Sequence, residues 1–323
     1  MKKILLVSTL MFLIGEPCFC WGFFAHRAIN YYAVFLLPPD MIPFYKKNIG
    51  FLTDHAVDPD KRRYLLAEEG ARHYMDLDHY GTFPYDGLPR SWDSALRKWP
   101  ADTLQKYGIA PWWLPRMVSR LTAAFRMRDA GRILKISAEI GHYMADIHVP
   151  LHASSNHNGQ LTGQEGIHGF WESRIPELFA SDDYDFLIGH AIYLNAVPNF
   201  AWERIMESGK AADTVLRVER ELSADTRPER KYAFSDRKGQ VLRQYSEAYA
   251  SAYQTRLLGM VERRMRQSIL AVASCWYTAW VDAGQPTLPM DNSTRIMDGD
   301  GKEQRIMDSL WKSALIRGRS CTN

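Results

Sequence analysis

A chain of 323 residues that is 46% hydrophobic and 12% aromatic can bury a large core, which excludes a disordered polymer and leaves room for one big domain or two small ones. The formal charge is only +3, so no global electrostatic pull toward nucleic acid or an anionic membrane exists, and any such partner has to be met by a local patch. The four cysteines show no zinc-finger spacing, which sets a thiolate metal centre aside.

The first elements read as an export signal. Lys2 and Lys3 precede an apolar run from Ile4 to Ile14, followed by Gly15, Glu16 and Pro17, with Cys18 and Cys20 just before a cleavage point. The run is too short to span a bilayer. Residues 1–20 are therefore expected to be a signal peptide, and residues 21–323 an exported chain, periplasmic or secreted, with no transmembrane segment. Cleavage after Cys20 would make Trp21 the first residue and leave Cys275 and Cys321 in an oxidising compartment, where a pair could staple the tail.

Further along, helical periods dominate and runs of alternating β-branched residues are few, so the expected class is all-α: a single compact multi-helix domain. Between Asp58 and His73 the chain looks helical after Pro59. Two helical stretches fill Met117 to Ile147, meet near Asp129 and Gly131, and end at Pro150. The Gly-, Asn- and Ser-rich segment Ser154 to Gly166 reads as a loop. Pro198 and Asn199 precede a helix around Ala201 to Glu207. From Lys238 to Ala283 runs an amphipathic pattern of two helices or one bent one, whose Tyr245, Tyr249, Tyr253, Leu257, Met260 and Ile269 read as core packing. After Pro286 a surface loop with a short helix near Met307 to Leu315 is expected.

The chemistry concentrates in His142-Tyr-Met-Ala-Asp146-Ile-His-Val-Pro-Leu-His152. Residues four apart share a helix face, so His142 and Asp146 can close on one ion or on two neighbouring ions, and Pro150 lets His152 turn back to them. His168 and Glu172 repeat the spacing, while Asp58 and His73 lie upstream. One His-xxx-Asp pair is weak evidence. Two pairs with additional histidines beside them are hard to explain as packing, and mixed nitrogen and carboxylate ligands suit zinc, with manganese or iron allowed by ligand type.

Together Trp21-Gly-Phe-Phe-Ala-His26, Asp58, His73-Tyr-Met-Asp76, His142-xxx-Asp146-xxxxx-His152 and His168-xxx-Glu172 resemble the trinuclear zinc superfamily that joins bacterial zinc-dependent phospholipase C to the single-strand-specific zinc nucleases of fungi and plants. The resemblance covers Trp21 to Glu172, about half of the mature chain. It implies three Zn2+ ions: one held by Asp58, His73, His142 and Asp146, one by His152, His168 and Glu172, and one by His26, Asp146 and the amino group and carbonyl of Trp21.

It implies, too, hydrolysis of a phosphodiester, either a phospholipid or single-stranded nucleic acid. Asp58 would also take a proton from the attacking water, Lys61 would touch phosphate and Asp76 would orient water. Glu172 and the short step from His152 to His168 favour the phospholipase C branch. The close spacing of Trp21 and His26, with Lys61 and Asp76, favours the nuclease branch. Phe23, Phe24, Tyr74, Tyr80, Trp112 and Trp113 could stack on bases or touch lipid, although core packing is their plain reading. His157 could line the cleft, while His55, His79, His148 and His190 are assigned structural or surface roles. A zinc-binding protein without turnover is the third reading.

Overall fold

Helices make up the protein, as the periodicity implies, with one two-stranded antiparallel sheet among the described residues. The computed structural model describes residues 22–63, 65–237 and 240–290, together with residues 305 and 309. The leader, Trp21, Cys321 and most of the segment expected to form a helix near Met307 lie outside these described residues. Among the described residues no helix is long and apolar enough to cross a membrane.

The element on which the site depends is helix α4 (Ala130–Asp146), reached through α1 (Phe23–Ala33), the one-turn α2 (Asp58–Arg62) and α3 (Ala110–Met127). Arg128, in the left-handed region at φ 52°, closes α3, and the Asp129 side chain accepts from the Arg132 N–H at 3.0 Å to start α4. Toward its C-terminal end α4 is buried on every side, from Ile140 to Asp146. Helix α3 packs along it, and α7 (Met260–Asp282) crosses α1, α3 and α4. Trp276 on α7 donates its indole N–H to the Ser137 carbonyl at 3.0 Å and stacks on Tyr45 with ring centroids 5.0 Å apart, which locks α7 against α4. Asn30 on α1 fixes the other side, since its amide donates to the carbonyls of Leu52 and Ala138 at 3.0 and 3.2 Å.

Some boundaries depart from the sequence reading. Pro198 lies in the first turn of α5 (Val197–Asp225), where its missing N–H costs nothing, so this helix is far longer than Ala201 to Glu207. Among the described residues between Asp58 and His73, only α2 and a 3-10 turn at Gly70–Arg72 form. Within the pattern that starts at Lys238, the first described residues form a strand: β2 (Gln240–Tyr245) pairs antiparallel with β1 (Tyr232–Arg237), Tyr232 opposite Tyr245, before α6 (Glu247–Arg256) and α7 follow.

The tyrosine stripe is core, as its pattern suggested, and it supports the site from behind. Tyr245 and Tyr253 stack on Phe170 with centroids 3.8 and 5.1 Å apart, and Tyr253 donates to the Val215 carbonyl at 2.7 Å. Cys275 is fully buried, and burial pushes its thiol up to about 12.

Candidate metal centre

Three elements converge on the C-terminal turn of α4. His142 and Asp146 project from one face, with His142 Nε2 3.2 Å from Asp146 Oδ2. After α4 the chain bends at Pro150 into a 3-10 turn, Pro150–Ala153, which returns His152 so that its Nδ1 lies 3.6 Å from Asp146 Oδ1. The 154–166 segment is a series of turns, as expected, and ends at Gly166, whose φ of 91° suits glycine. His168 then opens a short helical turn that continues as a π-helix over Phe170–Arg174, the kind of local helix widening that recurs at functional sites. His168 Nε2 and Glu172 Oε2 are 3.0 Å apart, and His152 Nε2 is 3.5 Å from the same oxygen. From α1, His26 brings Nε2 to 3.5 Å from Asp146 Oδ1 and lays its ring on that of His142 at 3.9 Å.

Among the described residues, three groups thus offer ligand atoms within 4.8 Å of one another: His26, His142 and Asp146; Asp60, His73 and His142; and His152, His168 and Glu172. Every member is buried. Asp146 joins them, since its Oδ2 also lies 2.9 Å from His73 Nδ1. The geometry brings together His26, His73, His142, Asp146, His152, His168 and Glu172 as the sequence implied. Gly22, the first described residue, donates its N–H to the Glu172 carbonyl at 3.2 Å.

Asp58 is the exception. It turns away from the cluster, accepting from Lys61 Nζ at 3.3 Å and meeting His55 Nδ1 at 2.5 Å, while Asp60 takes the place facing His73 Nδ1 and His142 Nε2, 3.7 Å from each. The reason is helical geometry: positions 58 and 60 point about 200° apart on α2, so only one can face inward. The Asp58-Pro-Asp60 string does not say which, and the family resemblance implied Asp58, whereas Asp60 is the one grouped with His73 and His142. Lys61 follows Asp58 outward.

Asp76 is buried at the start of the 3-10 turn Leu77–Tyr80, with its N–H donated to the Tyr107 carbonyl at 2.8 Å. It lines a cavity of about 720 Å³ with Tyr74, Lys106, Tyr107 and His157. The cavity adjoins the cluster: Tyr74 follows His73 in the chain, and the His157 ring centroid is 6.0 Å from that of His168. Trp112 and Trp113 are buried in the core, and His79 stacks on Tyr107. His148 bonds the Met144 carbonyl through Nδ1, and His190 is exposed.

Unpartnered polar atoms test whether cations fit. Both oxygens of Asp60 and of Glu172, Asp146 Oδ1, both nitrogens of His26 and His152 Nε2 are buried without a hydrogen-bond partner among the described residues. Burying such groups unpaired costs about 1–3 kcal/mol each, and more for charged ones, so this many in one place fits a site built for cations.

The rings are oriented for it. His142 Nδ1 bonds the Ala56 carbonyl and His152 Nδ1 the His73 carbonyl, each at 2.8 Å, the outer-nitrogen contact that fixes a ligating imidazole. Burial, with His142 beside it, holds His26 well below its ordinary value and hence neutral. Burial opposes the charge on Asp146, yet His142 and His152 hold its carboxyl well below the usual range, whereas burial pushes Asp60 upward.

No family model matches the chain and no curated protein does.

Proposed function

We propose that this chain is an exported, zinc-dependent phosphodiester hydrolase of the phospholipase C type, with three zinc ions in the cluster. The observation that carries the reading is the meeting of three buried histidine and carboxylate groups around Asp146 and His142, beside a cavity large enough for a substrate. Divalent ions held there would lower the pKa of a water and offset the charge that grows on phosphoryl oxygens.

The chain's own residues supply the rest. Asp146 ties two groups into one constellation. The carbonyls of Ala56 and His73 hold His142 and His152 in ligating orientation, so little reorganisation is left for the moment of reaction. Asp60 takes the place first given to Asp58. Asp76 sits at the cavity wall, where its carboxylate can accept a hydrogen bond from water or substrate. Asp58 and Lys61, paired with each other, are not needed as ligands.

Nuclease activity on single strands is the second reading, and the aromatic lining of the cavity by Tyr74, Tyr107 and His157 favours it, because unstacked bases bind such faces. Residues 1–20 act as the export signal in either case.

The test is hydrolysis of phosphatidylcholine and of single-stranded DNA by the zinc-loaded chain beginning at Trp21, with Asp146→Ala and chelator as controls. Metal-dependent cleavage of lipid supports the phospholipase C reading, and cleavage of DNA alone transfers the assignment to the nuclease branch. A loaded chain that cuts neither overturns catalysis and leaves a zinc-binding protein.

A further inference from the structure

His73 stands apart from the other oriented rings, because no backbone carbonyl meets its outer nitrogen. Its Nδ1 is the inward atom, 2.9 Å from Asp146 Oδ2, 3.0 Å from His142 Nε2 and 3.7 Å from Asp60 Oδ1. An imidazole that ligates through Nδ1 carries its proton on Nε2, and that nitrogen has no hydrogen-bond partner among the described residues. Facing it at 3.7 Å is Oε1 of Glu69, a fully buried carboxylate.

Glu69 is itself held rigidly. Arg62 Nε donates to its Oε2 at 3.1 Å, Arg72 Nη1 donates to the same oxygen at 2.5 Å, and the Tyr143 hydroxyl donates to Oε1. Arg62 is anchored beyond by Glu139 at 2.6 Å. The donors come from α2, from α4 and from the turn before His73, so the three segments that carry Asp60, His142 and His73 all meet at this one carboxylate. A shift of about 0.7 Å would bring the Nε2–Oε1 pair to hydrogen-bond length.

We propose that Glu69 is the positioning residue for the ion held by Asp60, His73 and His142: its carboxylate selects the His73 tautomer that presents Nδ1 and raises the basicity of that ring. This rests on the metal-binding part of the reading above and is independent of which phosphodiester is cut. A counter-charge for Arg62 and Arg72 is the plainer alternative. That reading accounts for Oε2, while Oε1, which no arginine uses, lies between the Tyr143 hydroxyl and His73 Nε2.

The test measures stepwise zinc affinities of the full mature chain by chelator competition. Glu69→Gln keeps the shape and removes the charge, and it is expected to weaken one ion by about 10–100-fold while leaving the ion at His152, His168 and Glu172 unchanged. Tyr143→Phe, which takes one donor from Glu69 but leaves its charge facing His73, should leave every affinity unaltered. Histidine nitrogen NMR of the unmodified, loaded protein provides a readout that needs no variant. A proton on His73 Nε2, shifted as a carboxylate-bonded N–H, supports the proposal, and a proton on Nδ1 overturns it. Glu69→Gln that binds all ions as tightly as the parent, yet unfolds at lower temperature, would also overturn it, because Glu69 would then serve only the arginines. A parent chain that binds no zinc would overturn this proposal together with the metal reading, whereas zinc bound without phosphodiesterase activity leaves it intact.

Discussion

Exchanging the two aspartates of α2 one at a time separates the inward carboxylate from the outward one. Asp60 is 4% exposed, with neither oxygen hydrogen-bonded among the described residues, whereas Asp58 meets His55 and Lys61 at the edge of the site. Asp60→Asn removes what would be a direct ligand of the proposed centre. Its loss should exceed the 10–100-fold typical of a supporting contact, so one ion weakens by more than about 1.4–2.8 kcal/mol. The same change removes from the metal-free protein a buried charge whose desolvation outweighs the cations facing it, Arg63 at 3.6 Å among them, so that state should become more stable by about 1–3 kcal/mol. Asp58→Asn loses a part-exposed pair and should cost about 1 kcal/mol or less while keeping every ion. The assay is metal content after gel filtration, with thermal unfolding of both variants in chelator and in zinc. Asp60→Asn is expected to unfold higher than the parent in chelator and lower in zinc. An Asp58→Asn protein that loses an ion while Asp60→Asn retains it would refute the assignment and restore Asp58 as the ligand the resemblance implied.

Gly141→Ala should destabilise the fold, because the added Cβ would fall 1.7 Å from Asn30 Oδ1 and displace the amide that bonds Leu52 and Ala138. Overpacking of about 1–3 kcal/mol and weakened hydrogen bonds outweigh the roughly 1 kcal/mol of helix propensity gained, so the denaturation midpoint should fall. A midpoint at or above the parent's would show that α1 yields more easily than the contact suggests. Acid should weaken the fold through His148, whose value burial and the neighbouring Arg264 hold well below 6.5. The unfolded chain binds a proton below about pH 6.5 and the native ring does not. The ring's contribution is therefore fully present above that pH and declines by up to about 1.4 kcal/mol per pH unit beneath it. His148→Gln should flatten the stability–pH curve between pH 6.5 and 5, and an unchanged slope would show that the ring takes up its proton in the native state.

The sequence by itself determined the helical class, the break at Asp129 and the return at Pro150, and its spacing singled out His142, Asp146, His152, His168 and Glu172, which the structure brings together, whereas His26 and His73 entered through the family resemblance. These follow from local rules: a 3.6-residue period, a side-chain cap, a proline without an N–H, and ligands four apart on one face. What the sequence left open has a physical reason as well. The β1–β2 sheet forms where aromatic contacts with Phe170 override the helical period, a tertiary gain that no local pattern contains. Whether Asp58 or Asp60 faces the cluster depends on how α2 is rotated against α4. That rotation is set by Arg62 reaching Glu69, Glu139 and Tyr143, contacts that exist only once distant segments have packed. Glu69 illustrates the same limit: along the chain it is one acid among many, and only its burial against His73 separates it from the others.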